Sequence, residues 1–574
     1  MTILERTIPF IVKVKTNPIL NPLKSFLPVL LLFVSFQAFS QEGELPEEQI
    51  LIQKDRKIVL PEIAKPQEKV LNSLKPLPKV SQKYTYSEFG VTLPLIDPKI
   101  QAPVYRPEAE LPVRQGFVRL GLGNYGSTNL DAWYNSGRKK DFAYGVNLHH
   151  LASANGPVTH SGFSNNELGL NGTYYTPSFN LAGSLRYNRN RYNFYGYDQE
   201  RYKNRSTDTT KQLFNSVWFR LDLIGKQKAN DKFSWQSGMN LGNIADRFKA
   251  SESEVLLDFK GNYKISDSSS VRLFSDFSLL KRSDSASQNR VLWRMEPMYR
   301  FGYSGFRIDA GFQISFASEP VLSASNQFKE QSAFHFHPKI NLELGLAQEK
   351  LLAFAGVGGG INRKSFRDHV GMNPFLMPDV YIRHENQLFD VFFGLKGQYK
   401  GMLQYHTKAS FEKLGQQAFY LNSDSVSREK FSIVYDSSST KRFSWETELV
   451  YDPGTGPKAG MRFTYFNYGL GTLKEAWHLP STVFSVFGSR AIAENINVSG
   501  EFYYMAGIKA LNPRSLATEK LSGMADLNLK AEYLFKTRYS AYIAVHNLLN
   551  NKNPRYFYYP SQGLRIMIGA SAFF

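Results

Sequence analysis

From Arg114 to the last residue, hydrophobic side chains fall on alternate positions, segment after segment, with no helical interruption. Leu527, Leu529, Ala531, Tyr533 and Phe535 share one parity, while Asp526, Asn528, Lys530 and Glu532 share the other. Val255, Leu257, Phe259, Tyr263 and Ile265 stand opposite Asp258, Lys260, Asn262 and Lys264 in the same way. The alternation recurs at Phe142/Tyr144/Val146/Leu148, Val217/Phe219/Leu221/Leu223, Ile340/Leu342/Leu344/Leu346 and Ile496/Val498/Phe502/Tyr504. A strand sends successive side chains to opposite faces, so period two is its signature. About 460 residues of it exceed one β-sandwich, which takes roughly 100. A membrane barrel, apolar toward lipid and polar toward a wet lumen, carries the same pattern to any length.

Composition agrees. The 574 residues include 44 Phe, 32 Tyr, 6 Trp and 42 Gly, yet 21% are charged and mean hydropathy is −0.35. That is too aromatic and Gly-rich for a helical protein, and too polar for a bundle of membrane helices. Aromatics bunch near strand ends, at Tyr174-Tyr175, Tyr503-Tyr504 and Tyr556 to Tyr559, where an interfacial girdle belongs. With no cysteine, a disulfide scaffold, a thiolate metal site, a Cys nucleophile and a lipid-carrying Cys are excluded. The net charge of +19 comes from scattered residues with no basic run of four, so it describes a surface and predicts no nucleic-acid partner.

Connections alternate between tight and long. Tight turns are predicted at 136–139, 177–178, 227–230, 266–269, 303–305, 347–350, 399–401, 453–456, 493–495 and 537–538. Longer polar loops are predicted at 154–164, 198–211, 320–331, 367–386, 422–429, 471–480 and 508–520. Outer-membrane barrels place short turns in the periplasm and long loops outside. With 431–452 read as one long descending strand, the threading gives 22 strands, an even number that leaves both ends periplasmic. The fold class expected for 113–574 is therefore an all-β, transmembrane antiparallel barrel of about 22 strands.

Ahead of it, residues 1–40 read as a signal peptide. Lys13, Lys15 and Lys24 precede the apolar run from Phe26 to Phe36, and Ala38-Phe39-Ser40 offers small residues for cleavage before Gln41. Residues 41–112 form a Pro-rich, irregular segment, periplasmic or lumenal, because prolines at this density break helices and central strands. Its short runs 49–54 and 57–61 read either as solvated linker or as strands added to a partner's sheet edge.

The chain's end carries a resemblance. The terminal strand from Leu564 alternates, with Ile566 and Ile568 on one face, and stops on Phe574, similar to the signal read by bacterial barrel-assembly machinery. The run from Val545 to Arg565 resembles the carboxy end of TonB-dependent outer-membrane receptors. Asn547, Leu548 and Asn550 match the Asn-Leu-Phe-Asn-like motif of the penultimate strand. Pro560, Gly563 and Arg565 match the turn into the last one, with Leu564 intervening. Glu475 to Pro480 looks like the loop before a late strand, and the Tyr- and Asn-rich loops suggest the Bacteroidota branch. The family places a globular plug ahead of the barrel, whereas the Pro-rich segment here is too short and irregular for one. Ile50, Leu51 and Ile52 faintly resemble the strand with which TonB pairs.

Other candidate sites are weaker. Gly121-Leu-Gly-Asn-Tyr-Gly126 matches a dinucleotide fingerprint, but a strand rather than a helix follows, so a Gly-rich barrel strand is expected. Gly356 and Gly358 to Gly360 suit a strand whose inward face stays small. His335 with His337, and His149 with His150, lack a third metal ligand by spacing, and no nucleophile elbow occurs. Asp258, Arg272, Asp276, Arg462, Lys530 and Glu532 are expected to pair across the lumen wall. No catalytic, cofactor or metal site is predicted, and the chain is not expected to be an enzyme. The partners expected are outer-membrane lipid and lipopolysaccharide, the barrel-assembly machinery, and other outer-membrane or periplasmic proteins. The leading expectation is a plugless receptor-like barrel serving as an accessory or structural subunit, or as a partnered conduit, in the bacterial outer membrane. The alternatives are a TonB-dependent importer of a glycan, peptide or siderophore with the N-terminal segment as reduced plug, and a surface scaffold or adhesin.

Overall fold

The computed structural model describes residues 114–574, apart from 138–140, 157, 229–230, 285–286, 323–327, 348–349, 423–425 and 427. The signal-peptide, Pro-rich and TonB-box-like readings (Ile50, Leu51 and Ile52 included) lie outside these residues. Twenty-two strands form one antiparallel sheet. It closes because the first strand, Gly116–Gly123, pairs with the second, Ser127–Asn135, on one edge and with the last, Arg565–Phe573, on the other. The Phe574 carbonyl accepts from Gln115 N at 2.9 Å and Gly116 N at 2.7 Å, completing the closure. A closed sheet leaves no edge, which hydrocarbon requires of any strand structure that crosses it.

All ten predicted tight turns join consecutive barrel strands, and the eleven other connections lie at the opposite end. At Ser304-Gly305 both residues take positive φ, 45° and 81°, the twist of a two-residue hairpin loop between the paired Tyr303 and Phe306. Not every far-end connection is long: 124–126 and 247–250 are tight as well.

One expectation is corrected. Residues 431–452 are not one strand. Phe431–Tyr435 pairs with Ala418–Asn422 in a separate hairpin outside the barrel sheet, and only Thr440–Tyr451 enters the wall. The break is at Asp436, whose carboxylate accepts from Gly471 N at 2.7 Å and Thr472 N at 2.9 Å. The strand count survives because the split adds a loop hairpin rather than a wall strand.

The wall has the two predicted faces. Leu120, Leu122, Leu257, Phe277, Leu529, Tyr533, Ile543 and Ile568 are large, apolar and exposed on the outside. The outward Trp293 and Trp445 give their indole N–H to Ser275 and Thr407 hydroxyls at 3.3 and 3.1 Å, so neither donor is left to lipid. Inside, every expected charge finds a partner. Asp258 pairs with Arg220 at 2.5 Å, Arg272 with Asp309 at 2.8 Å, Asp276 with Arg294 at 2.7 Å, Arg462 with Glu448 at 2.7 Å and Lys530 with Glu532 at 2.8 Å. Among the described residues no helix is long and apolar enough to cross a membrane.

Candidate functional site

The long connections converge on one buried core at their end of the barrel. Connection 363–384 contributes most. Its helix Phe366–Met372 begins at Ser365 in a capping box. The Ser365 hydroxyl accepts from Asp368 N at 3.2 Å while the Asp368 carboxylate accepts from Ser365 N at 2.8 Å. Phe366 packs edge-on against Phe214 of the wall strand Lys211–Gly225, with ring centroids 6.2 Å apart. The Arg282 guanidinium lies 4.1 Å above the Phe366 ring, and Arg367 stacks 3.9 Å from Trp218.

Charges from the wall hold this connection down. Arg290, fully buried, donates to Lys364 O at 2.6 Å and to Glu252 at 2.5 Å. The other Glu252 oxygen accepts from Phe366 N at 2.6 Å. Arg363 pairs with Glu254. Arg282, also fully buried, pairs with Asp284 at 2.9 Å and donates to Pro378 O. Farther along, Arg383 pairs with Glu319 at 2.8 Å, His384 N donates to Glu319 at 3.0 Å, and the Tyr381 hydroxyl donates to Pro320 O at 2.7 Å. Burying ions costs heavily unless they are paired and hydrogen-bonded, so removing either side of such a pair is strongly destabilising.

Other connections complete the core. Phe375 stacks on Tyr559 at 3.8 Å, Tyr195 meets Tyr559 at 4.8 Å and Phe431 meets Tyr556 at 5.6 Å. The hairpin Ala418–Asn422/Phe431–Tyr435 is tied to connection 363–384 through Phe431 N to Phe375 O and Met377 N to Phe431 O. Tyr556 and Tyr559 hydroxyls donate to Met372 O and Glu429 O. A second cluster joins Phe419, Trp477 and Leu479. Fully burying an aromatic of this size stabilises by about 1.5–3 kcal/mol, so packing favours the docked arrangement of these loops.

Three loop histidines sit inside as neutral groups. His478 donates through Nδ1 to Tyr420 O at 2.7 Å and accepts at Nε2 from Phe557 N at 3.3 Å, which leaves no room for a second ring proton. Burial pushes it down to about 4. Burial and nearby Arg290 push His369 down to about 3. His384 accepts from Lys364 N at 3.2 Å, and burial among Arg290, Arg363, Arg294 and Arg383 holds it well below the usual range. At Asp436 burial favours the protonated form, but the Thr472 hydroxyl and the Gly471 and Thr472 amides outweigh it and lower the carboxyl.

The receptor-like motif is a clasp on the last loop. Asn547 and Asn550 both take φ +51°, a region that Asn tolerates better than most residues. The Asn547 amide donates to Asn551 O at 2.7 Å and Gln562 O at 2.8 Å, and Asn550 accepts from Leu564 N at 3.0 Å. A side chain at Gly563 would meet the Asn550 carboxamide oxygen at 2.3 Å. Ile566 and Ile568 point outward beside it and Phe574 is exposed at the strand's end. Gly121 to Gly126 is strand and tight turn, with another strand following. His149 meets Asp131 at 2.6 Å, and His150 meets Asn166 at 2.6 Å and Thr128 at 2.9 Å. Among the described residues no group of three His, Asp or Glu side chains is placed to hold a metal. Glu252, Arg282, Arg290 and the loop histidines were not singled out by sequence. The only signal of the three wall residues was inward parity, shared with every wet-wall charge, and the loop histidines lie outside the wall strands where no such parity applies.

No protein-family signature and no curated protein matches the sequence. Solved structures do match in fold. The FrpB iron transporter from Neisseria meningitidis (F3-3 variant) aligns with a TM-score of 0.64 at 9% identity, over 81% of this chain and 82% of that one. The ferric-catecholate import receptor Fiu from E. coli K12, in a closed form, gives 0.60 at 9% identity, over 80% and 82%. The siderophore receptor PiuA from Acinetobacter baumannii gives 0.62 at 8% identity, over 81% and 82%. The barrel thus has the fold of TonB-dependent outer-membrane receptors. By their own descriptions these neighbours are an iron transporter, an import receptor and a siderophore receptor.

Proposed function

We propose that this chain resides in the bacterial outer membrane and imports a solute through its barrel as a TonB-dependent receptor does, with a metal chelate of the siderophore class as the solute. The observation that carries this reading is the loop core. Connections 194–210, 363–384, 416–439 and 547–564 merge into one buried aromatic cluster, latched to the inner wall by paired arginines. Adhesive loops need exposed, independent surfaces, whereas an entrance that must close needs loops that pack on one another and on the wall. The iron transporter and the siderophore receptors with the same fold support the choice of solute.

Uptake by cells tests it. A host lacking its own ferric-chelate receptors, supplied with this chain, is given a panel of radioiron-loaded siderophores, with and without a protonophore. Accumulation that collapses with the protonophore is expected. A correctly inserted barrel that accumulates none of the panel would exclude the chelate reading. Deleting residues 41–112 tests the reduced-plug component, with a rise in ion conductance expected.

A further inference from the structure

Among the described residues, one ladder of the wall stops far short of its strand's end. Strand Phe328–Ala347 pairs with Phe306–Leu322 from Phe328 to Leu344, but with the next strand, Leu351–Asn362, only from Ile340 to Ala347. Beyond Val357 that ladder stops. Pro338 has no amide to offer there, and Gly358-Gly359-Gly360 follows on the other strand. Above this level Leu351–Asn362 keeps only its pairing with Glu385–Tyr399, through Gly360 to Asn362, and leans toward the lumen. Ile361 packs on Leu292 and Ala317, which belong to strands two and three positions away. Side chains replace the lost ladder bonds. Gln313 accepts from Ile361 N at 2.9 Å and Arg294 donates to Ile361 O at 2.8 Å. Asn386 meets His337 at 3.1 Å. Left behind on the outside, Phe334 and Phe336 are 67% and 58% exposed, well above the lipid-facing Leu529 at 40%.

The partner strand breaks at the same level. Glu385–Tyr399 shifts register against Leu351–Asn362 between Gly358 and Gly360, and against Leu403–Gly415 between Gln387 and Phe389. Both strands of one hairpin therefore carry an irregularity at one height, and the segment beyond it, 359–388, includes the latched connection 363–384. A glycine run and a bulge are where backbone torsion changes cost least. A wall strand zipped on both sides could not move without breaking ladders that hydrocarbon leaves unsatisfied.

We infer that residues 359–388 form a gate that swings as one piece on Gly358–Gly360 and the Gln387–Phe389 bulge, opening the lumen toward the long-loop side while the barrel stays closed below. This rests on the transport reading, and it names the moving part of that site. Gln313, Arg294 and Glu319 are its catches together with the paired Arg290, Arg282 and Arg363, and release breaks these side-chain contacts, the two backbone bonds with Phe431 and the end rungs Asn386–Gly415 and Gln387–Leu414 rather than a full-length β-ladder.

Amide exchange on the full chain in lipid nanodiscs tests the hinge without any solute, so a failed uptake assay and a failed hinge are distinguishable. Residues 359–385 are expected to exchange together as one unit, while 340–347 and 351–357 stay protected. Gln313→Ala, which removes one buried acceptor, should speed exchange of that unit about ten-fold and leave 351–357 unchanged. Equal protection on both sides of Gly358, or a Gln313→Ala effect spread through the whole strand, would overturn the inference. Spin labels at Met372→Cys and Asp267→Cys, clean because the chain has no cysteine, supply a second readout in the otherwise unaltered protein. Two distances are expected, and a single narrow one would overturn it.

Discussion

Arg290 is the most informative residue to remove. Its guanidinium is fully buried and bonds both Glu252 and the Lys364 carbonyl, while Glu252 in turn holds Phe366 N. Arg290→Ala leaves a carboxylate that is 2% exposed with one amide partner and no hydrogen-bonded counter-ion, only the more distant charges of Arg282 and Arg363. Breaking a buried pair in this way costs about 3–5 kcal/mol. The cost falls on the docking of connection 363–384, because the ladders of Ser287–Tyr303 with its neighbours remain intact. At 1.4 kcal/mol per factor of ten, exchange of amides in 363–384 should accelerate between about a hundred-fold and a few thousand-fold. The barrel ladders should keep their protection. Replacing both partners, Arg290→Met with Glu252→Leu, should cost much less than Arg290→Ala, because no charge is then stranded. The assay is hydrogen exchange read by mass spectrometry on the three proteins side by side. Acceleration under ten-fold, or a double variant as damaged as the single one, would refute the reasoning.

Further outcomes follow from the same contacts. Phe431→Ala opens a cavity where Phe375, Tyr556 and Tyr559 meet, and should lower loop stability by about 3–5 kcal/mol in protease-sensitivity titrations without changing the barrel's resistance to unfolding in detergent. His478 is neutral when the loop is docked and takes a proton readily once it is released. Its folded value near 4 lies below the ordinary 6.5, so the docked state binds fewer protons and loses stability as pH falls from about 6.5 toward 4, by up to about 3 kcal/mol. Exchange in 471–480 measured against pH should show that loss, and His478→Gln should flatten it. Leu257→Arg places a charge on the outward face of Ser251–Lys264 and should destabilise the barrel by about 2–4 kcal/mol, whereas the inward Lys260→Gln should be near neutral; heat-modifiable gel mobility separates the two.

The barrel was legible because lipid on one face and water on the other impose a two-residue period on every wall strand. Most of the ten tight turns were legible because Gly, Asn, Ser or Pro stand where that period stops, while 347–350 and 537–538 show only the polar break itself. The loop core was not. Phe431-Ser-Ile-Val-Tyr435 alternates as well as any wall strand, and only the carboxylate of Asp436, answered by amides some 35 residues on, shows that it turns away. Arg282 and Arg290 obey the inward parity of lumen charges, so what marks them out, partners on connection 363–384, depends on pairings across roughly 75–95 residues that no local window reports. The gate was hidden for a related reason. Gly358 to Gly360 read as a strand kept small, and the space is indeed taken by His337 and Gln313, but the early stop of its ladder with Phe328–Ala347 appears only in the register.

Tryptophan quenching by lipids brominated in their acyl chains probes the central claim most directly, that lipid covers one face of these strands and the other face turns inward. In single-tryptophan proteins the outward Trp293 and Trp445, 39% and 46% exposed, should be strongly quenched, and the inward Trp218 and the loop-core Trp477, 6% and 4% exposed, should not. Equal quenching of all four, or none at Trp293 and Trp445, would contradict the barrel's orientation and the account built on it.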